Sequence, residues 1–296
     1  MLGLSHRSEK VAPSSTLAIT AKINTLQAEG IDIVKFAAGE PDFDTPDYIK
    51  EAAIAALNAG FTKYTPVPGI PELREAIVNK LQEDNGLNYV PSQVVVSCGA
   101  KHSIYNVLQA VCNPGDEVIF ASPYWVSYPE MVKLADAKPI VVKTSASQNF
   151  CMNAEQIEQV LSDRTKVIII SSPSNPTGTV YGLESLRQIA ELALKYKFYI
   201  ISDEIYGSLL FDCLKHQSIA ASMPGVEELT FVVNGVSKAY SMTGWRIGYA
   251  AGPEKAIQAM SRIQSHSTSN PTSISQKAAL AALTAPQEAV EQMRQA

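Results

Sequence analysis

Short apolar runs rich in β-branched residues recur along the chain, and segments with helical periodicity lie between them. The runs span residues 94–97, 117–121, 140–143, 166–171, 198–202, 230–234 and 246–250. Several are apolar at successive positions rather than at alternate ones, which is typical of strands covered on both faces in a largely parallel sheet. The alternation of strand and helix predicts an α/β layered domain that occupies at least residues 92–251.

Apolar residues spaced three and four apart predict helices between the strands, at 101–111, 154–161 and 183–196. Outside the strand region, we expect helices at 15–29, 47–59 and 271–296. Loops rich in proline and glycine, at 36–46 and 61–71, flank the helix at 47–59. Long irregular stretches are uncommon in compact domains and often carry function, so both loops are candidates for part of a site.

Composition narrows the classes of function. The chain has 296 residues, 46% hydrophobic and 18% charged, which is enough for one large or two ordinary domains with a sizeable core. A net charge of −5 argues against binding to nucleic acid or to an anionic membrane surface. The sequence shows no apolar signal segment, no run of membrane-spanning length and no CxxC pair among its four cysteines. We therefore expect a cytoplasmic protein that acts on small molecules.

Several common catalytic motifs are missing from the sequence. It contains no GxGxxG after a strand, no GxxxxGK[ST], no HExxH and no GxSxG. Hydride transfer, nucleotide hydrolysis, zinc proteolysis and serine hydrolysis therefore lose support. The four histidines are scattered without ligand spacing, so no metal site is predicted.

Polar side chains follow the predicted strands at the points where these end. Asn175 lies just after one apolar run, Asp203 ends the next, and Lys238 follows a third. Because ligands in open α/β sheets bind at the carboxyl ends of strands, these three side chains are expected to converge on one crevice. Arg246 belongs to a fourth polar segment, TGWRIG, at 243–248.

This set of side chains matches the demands of pyridoxal phosphate. A partly desolvated lysine beside other cations has a lowered pKa and can form an imine with an aldehyde. A carboxylate can keep a ring nitrogen protonated, and arginine and serine can grip a phosphate. Each residue alone has an ordinary explanation, such as a helix cap for the aspartate or a solvated surface position for the lysine. Their occurrence in this order, each after a strand, favours the cofactor.

Six motifs extend this pattern over nearly the whole chain: AAGEPDFDTP (37–46), KYTPVPGIPELREAI (63–77), SPYWVSYPEM (122–131), SPSNPTG (172–178), SDEIYG (202–207) and SKAYSMTGWRIGY (237–249). They closely resemble the class I aminotransferases, within the aspartate aminotransferase family of fold-type I pyridoxal phosphate enzymes. The resemblance implies an α/β fold in which a mostly parallel seven-stranded sheet is covered by helices. It also implies an N-terminal arm and small-domain segment at 1–45 and a large cofactor-binding domain at 46–296.

The resemblance assigns roles to the candidate residues. Lys238 matches the lysine that binds the cofactor as a Schiff base and then moves the substrate proton as general base and acid. Asp203 matches the acid that pairs with the ring nitrogen. Tyr206 and Asn175 match groups that hydrogen-bond the phenolic oxygen of the ring, and Trp125 matches the aromatic residue that stacks on the ring.

Other residues match groups that hold the cofactor phosphate. Ser237 and Arg246 are two of these, and the start of a helix after a strand supplies backbone amides that suit an anion. That helix start comprises Gly99, Ala100 and Lys101. Tyr64 matches a tyrosine that reaches the phosphate from the neighbouring subunit, which implies a homodimer with shared active sites.

For the substrate, the resemblance implies contacts from Gly39, Lys101, Trp125 and Asn175. Gly39 matches the loop that meets the α-carboxylate. Lys101 matches a lysine associated with the distal carboxylate of dicarboxylic substrates, and a cation is unfavourable at a helix start without such a purpose. This favours aspartate and glutamate, with 2-oxoglutarate or oxaloacetate as keto partners. The same branch includes enzymes that use prephenate.

The sequence departs from the family pattern in two places. Ser174 stands where the family often has asparagine, next to the retained Asn175. The family chain also continues past residue 296 through a C-terminal small domain, which supplies an arginine for the α-carboxylate. The resemblance therefore implies a truncated chain that lacks this domain. Three alternatives stay open: an aminotransferase for prephenate or aromatic substrates, a fold-type I lyase, and a non-catalytic cofactor-binding fragment.

Overall fold

The computed structural model describes residues 3–34, 39–212 and 214–296. Residues 36–38 of the predicted loop at 36–46, and Cys213, lie outside the described residues. The strands form one seven-stranded sheet in the order β1-β7-β6-β5-β4-β2-β3. Their bounds are β1 Val94–Ser97, β2 Glu117–Ser122, β3 Lys138–Lys143, β4 Thr165–Ser171, β5 Tyr199–Asp203, β6 Thr230–Gly235 and β7 Gly248–Ala251.

The sheet is largely parallel, as the uninterrupted apolar runs predict. Strands β2 to β6 pair in parallel with one another, whereas β7 runs antiparallel to both of its neighbours, β1 and β6. In β4, Val167 and Ile169 belong to one hydrophobic cluster, and Ile168 and Ile170 belong to another. Successive side chains of a strand point to opposite faces, so both faces of β4 are buried. This confirms the predicted α/β layered fold.

Helices cover the sheet and flank it. They are α1 His6–Lys10, α2 Ser15–Ala28, α3 Asp47–Asn58, α4 Pro71–Asn85, α5 Ala100–Val111, α6 Ser127–Leu134, α7 Ala154–Val160, α8 Leu183–Tyr196, α9 Glu254–Ser265, α10 Ser273–Thr284 and α11 Glu288–Gln295. The cluster on one face draws apolar residues from α5, α6 and α9, and the cluster on the other face draws them from α7 and α8. A third cluster joins α3, α4 and α10 to β1 and β7. None of the helices within the described ranges is long and apolar enough to cross a membrane.

The structure corrects two of the predicted elements. The segment 271–296 is not one helix, because α10 ends at Thr284 and α11 begins at Glu288. Pro286 lies between them and has no amide hydrogen to continue the first helix. The last strand begins at Gly248 rather than at Arg246, whose φ of 57° is incompatible with a strand.

The N-terminal segment is tied to α6 by polar contacts. The Arg7 guanidinium pairs with Asp136 just beyond α6 at 2.6 Å, and the Ala12 amide donates to the Glu130 carboxylate on α6 at 2.8 Å. Every strand of the sheet lies within residues 94–251. The division into an arm at 1–45 and a large domain at 46–296 stays a prediction.

Candidate active site

The ends of the strands bring the predicted residues to one edge of the sheet. In the register of the sheet, Asp203 at the end of β5 lies between Ser171 of β4 and Val233 of β6. Gly248 at the start of β7 lies between Gly235 at the end of β6 and Ser97 at the end of β1. The loops that leave β1, β4, β5 and β6 therefore start side by side, where an open α/β sheet places its ligands.

The amine of Lys238 lies in this crevice. Its Nζ donates a hydrogen bond to the carbonyl of Gly39 and lies 5.8 Å from the centroid of the Tyr206 ring. Partial burial lowers the pKa of Lys238, Glu40 opposes this shift, and the charge of Arg246 lowers the pKa further. A larger share of this amine is therefore neutral at a given pH than for a solvated lysine.

A second group of cations stands at the start of α5. The Arg246 guanidinium donates to the carbonyls of Thr243 at 2.8 Å and Cys98 at 3.1 Å. The Lys101 Nζ lies 4.8 Å from the centroid of the Trp125 ring. Desolvation lowers the pKa of Lys101, and the charge of Arg246 lowers it further. The helix has no side-chain cap at this end, so its first amides lack partners from a cap and add positive potential.

Two glycines allow these groups to meet. Gly99 has a φ of +92°, and a Cβ there would lie 2.3 Å from Nη2 of Arg246. A Cβ on Gly248 would lie 2.1 Å from the backbone nitrogen of Ala100. The guanidinium, the helix start and the start of β7 therefore pack together only because both positions lack a side chain.

Asp203 is buried without a cation. It is 4% exposed, its Oδ2 accepts a 2.6 Å hydrogen bond from the Tyr128 hydroxyl, and its Oδ1 lies 3.4 Å from the Ile205 amide. Burial raises the pKa of Asp203 to about 6, although the hydrogen bonds from Tyr128 and Ile205 act in the opposite direction. Within the described ranges, no lysine, arginine or histidine forms an ion pair with this carboxylate.

Tyr206 and Asn175 lie together beside this acid. The Asn175 side chain hydrogen-bonds the Tyr206 hydroxyl. Burial raises the pKa of Tyr206, the charge of Asp203 raises it further, and the hydrogen bond from Asn175 opposes both. Tyr206 is thus close to Asp203 on one side and to Lys238 on the other.

The remaining predicted residues differ in their positions. Ser237 is buried next to Lys238, and Trp125 is half-buried with its ring 5.5 Å from that of Tyr128. Tyr64 is 89% exposed, and no contact recorded for the described residues joins it to the rest of the group. The structure therefore assembles the predicted set around Lys238, Asp203 and Arg246, with Tyr64 outside it.

A pyridoxal phosphate molecule fits these groups. Its phosphate suits the cations and amides at the start of α5, since Glu40 is the one acid among the described residues that acts on the charge of Lys238, and none of them acts on that of Lys101. Its ring nitrogen, when protonated, is the cation that the buried carboxylate of Asp203 lacks. Its aldehyde suits the amine of Lys238, whose pKa is lowered.

Sequence reasoning missed the buried network around Glu204. This side chain is 1% exposed; its Oε1 accepts from Ser202 at 2.8 Å and Ser218 at 2.6 Å, and its Oε2 pairs with His216 at 2.7 Å and Asn85 at 3.2 Å. Through Glu204, the network links His216 and Ser218, which follow Tyr206 in the chain, to Ser202 of β5. A glutamate next to Asp203 at the end of a buried strand was the available signal, because a buried carboxylate needs partners.

A crevice with a lysine, a buried aspartate and a helix start suited to an anion is the kind of site that fits an aldehyde cofactor carrying a phosphate. A family model described as aminotransferase class I and II matches residues 31–296. The chain belongs to that family.

Named relatives agree with this assignment. The aspartate aminotransferase of Geobacillus stearothermophilus is 52% identical over 293 residues, which cover 99% of this chain and 75% of that protein. The aspartate/prephenate aminotransferase of Cereibacter sphaeroides is 50% identical, over 100% of this chain and 74% of that protein. The structure of aspartate aminotransferase from Thermus thermophilus with maleate has a TM-score of 0.96 at 47% identity, and the match covers 100% of this chain and 77% of that one. The predicted family and fold are confirmed.

The Glu204–His216 pair predicts a pH-dependent contribution to stability. Burial lowers the pKa of His216, but the hydrogen bond and charge of Glu204, together with Asp84, outweigh it and raise the pKa. Protonated His216 therefore stabilises the fold below its unfolded-state pKa of about 6.5, and this contribution is lost as pH rises through the higher folded-state value.

Urea unfolding of the wild type and His216→Gln, measured from below about pH 6.5 to above the raised pKa of folded His216, tests the prediction. The wild type is expected to lose stability relative to the variant as pH rises, whereas the exposed His6→Gln variant should follow the wild type. A difference between wild type and His216→Gln that stays constant with pH would contradict it.

Proposed function

We propose that this chain transfers the amino group of an L-amino acid, preferentially aspartate, to a 2-oxo acid, with pyridoxal phosphate as its cofactor. When bound, pyridoxal phosphate supplies an aldehyde that captures the amino group and a protonated ring that accepts the electron pair released at Cα. The observation that carries the proposal is that two groups lie at one edge of the sheet: Asp203, which is buried without an ion-pair partner among the described residues, and the Lys238 amine, whose pKa is lowered.

The start of α5 holds the phosphate in this proposal. The backbone amides of Gly99, Ala100 and Lys101 and the guanidinium of Arg246 supply hydrogen bonds and positive charge. Ser237, buried beside Lys238, adds a hydroxyl donor. The support is the positive charge shared by Arg246, Lys101 and Lys238, against which Glu40 is the one acid among the described residues that acts on either lysine.

Lys238 moves the proton. Its Nζ would take a proton from the substrate Cα and return it to the carbon on the other side of the transferred nitrogen, the former aldehyde carbon of the cofactor, as general base and then general acid. Both the partial burial and the charge of Arg246 favour the neutral amine that this step requires. Nζ donates to the carbonyl of Gly39. Gly39 belongs to the loop that is expected to meet the substrate α-carboxylate.

The other side chains orient the reacting group. Asp203 holds the ring nitrogen protonated, Asn175 and Tyr206 donate to the oxygen on the ring, and Trp125 covers a ring face. Asn175 and Tyr206 already contact each other, which supports a shared task. Trp125 lies directly before α6, the helix that carries the partner of Asp203.

Lys101 is the basis for a dicarboxylic substrate. Its ammonium group stands at a helix start, where a cation is disfavoured, and lies over the ring of Trp125. Three relatives named above are aspartate aminotransferases or aspartate/prephenate aminotransferases, and one was solved with maleate, itself a dicarboxylic acid. We propose aspartate and glutamate as amino donors, with oxaloacetate and 2-oxoglutarate as their keto partners.

We further propose a homodimer acting in the cytoplasm, in which each site takes a residue from the other subunit. Tyr64 supports this proposal because it is 89% exposed on its own chain, although its sequence motif matches a phosphate ligand. Tyrosine is enriched at interfaces between proteins, where its ring packs and its hydroxyl finds a partner.

Substitution of the lysine tests the proposed function. The wild type supplied with pyridoxal phosphate should show the visible absorbance of the covalently bound cofactor and transaminate aspartate with 2-oxoglutarate. Lys238→Ala should lose this absorbance and at least about 10²–10⁴-fold in rate, because it removes both the covalent link and the proton carrier. Lys195→Ala, at an exposed position on α8, serves as control and should match the wild type. A wild type without visible absorbance or transaminase activity would refute the proposal.

The substrate class is tested by Lys101→Ala. Loss of a charge-assisted hydrogen bond to the distal carboxylate should reduce kcat/KM for aspartate by roughly 10–100-fold. The value for alanine, which has no distal carboxylate, should change little and provides the internal control. Equal losses for both amino acids would contradict a role in specificity. Higher turnover of prephenate than of 2-oxoglutarate as acceptor by the wild type would favour the prephenate alternative.

A further inference from the structure

The phenol of Tyr128 lies against the carboxylate of Asp203 in the interior. Tyr128 is 2% exposed, and its hydroxyl donates a 2.6 Å hydrogen bond to Oδ2 of Asp203. Ser171, which is opposite Asp203 in the sheet, hydrogen-bonds the same phenol. The hydroxyls of Ser171 and Tyr128 thus form a hydrogen-bonded chain that ends on Oδ2 of Asp203.

The two oxygens of Asp203 are not equivalent. Oδ2 has a short bond from a buried hydroxyl, whereas Oδ1 has only the Ile205 amide at 3.4 Å among the described residues. A hydrogen bond of 3.4 Å is long for an N–H donor, whose usual range ends near 3.2 Å. Oδ1 therefore keeps the capacity to accept from a ligand, while Oδ2 is fixed by the protein.

Tyr128 also opposes the effect of burial on this acid. Burial favours the protonated carboxylic acid, and the neighbouring charge of Glu204 acts in the same direction. The hydroxyl of Tyr128 is the main group that favours the charged form, followed by the Ile205 amide. Without the hydroxyl, Oδ2 would lose the short hydrogen bond that it accepts among the described residues.

Resting on the proposed function, we propose that Tyr128 is a positioning residue of the reaction. Its hydroxyl holds Asp203 ionised and turned so that Oδ1 meets the protonated ring nitrogen of the cofactor. The same turn of chain carries Trp125 three residues earlier, with the two rings at 88°. In this proposal, the short segment 125–128 supplies both the aromatic residue that covers one face of the cofactor ring and the hydroxyl that orients the acid at the ring nitrogen.

The first test is made on the cofactor-free protein. In protein labelled with ¹³C at aspartate carboxyls, the signal missing from Asp203→Asn assigns Asp203, and its pH titration is followed in wild type and Tyr128→Phe. Loss of a hydrogen bond to the charged form should raise the titration midpoint by roughly one to two pH units. An unchanged midpoint would overturn the proposal.

Tyr124→Phe is the matched control. Its ring packs edge-on against Phe120 at 4.9 Å, in the same aromatic cluster as Tyr128, which lies 6.0 Å from Phe120. This variant removes a tyrosine hydroxyl from the cluster and leaves the bond to Asp203 intact. The Asp203 titration midpoint in this variant should equal that in the wild type, and a shift as large as the one in Tyr128→Phe would overturn the proposal.

The second test measures cofactor binding in a double-mutant cycle. At neutral pH, Tyr128→Phe should weaken binding of pyridoxal phosphate by roughly 10–100-fold, and the loss should shrink at higher pH as Asp203 ionises again. In the Asp203→Asn background, Tyr128→Phe should have little further effect, because it acts through the acid. Additive losses in the double variant would overturn the proposal. Failure of the proposed function would instead appear as inactivity of the wild type, while the carboxyl titration would still report on Tyr128.

Discussion

The constraint on which the site depends is a buried carboxylate that has no ion-pair partner in the part of the chain that the structure describes. Such a group loses its hydration and finds little to replace it inside the protein, so burial pushes it towards the neutral acid. Asp203 shows this effect, because its pKa is raised to about 6 despite a short hydrogen bond from Tyr128. A protonated ring nitrogen of the cofactor would supply a positive charge next to Asp203 and so favour its ionised form.

The charges of the crevice are separated along its length. Arg246, Lys101 and Lys238 cluster around the start of α5, where each lysine has a lowered pKa from desolvation and from the arginine. The acid stands apart from them, at the end of β5. A ligand with an anionic group at one end and a cationic ring nitrogen at the other satisfies both regions at once. Tyr206 is close to both regions. Its ring centroid lies 5.8 Å from Nζ of Lys238, and the charge of Asp203 raises its pKa.

Much of this arrangement could be predicted from the sequence, because buried parallel strands leave an unmistakable pattern. All seven strands form close to the predicted runs, and strand ends carry the predicted Asn175, Asp203 and Lys238 to one edge. Four helices, α1, α4, α6 and α9, were not predicted from the sequence. α6 has only eight residues, and such a short span shows too few turns for a period to stand out.

The contacts that support the site could not be predicted, since they join positions far apart in sequence. Tyr128 resembles an ordinary core aromatic in the sequence, and only the fold places its hydroxyl against an acid 75 positions later. The Glu204–His216 pair likewise depends on how the loop after β5 returns. Arg246 was expected within a strand; the left-handed turn it occupies instead brings its guanidinium to the carbonyl of Cys98.

The protonation state of the ring nitrogen tests the central claim most directly. Pyridoxal phosphate labelled with ¹⁵N in the ring can be bound to the full chain and its chemical shift read at neutral pH. The account predicts the shift of a pyridinium in the wild type and that of a neutral pyridine in Asp203→Asn. A neutral pyridine shift in the wild type, with the cofactor bound, would contradict it.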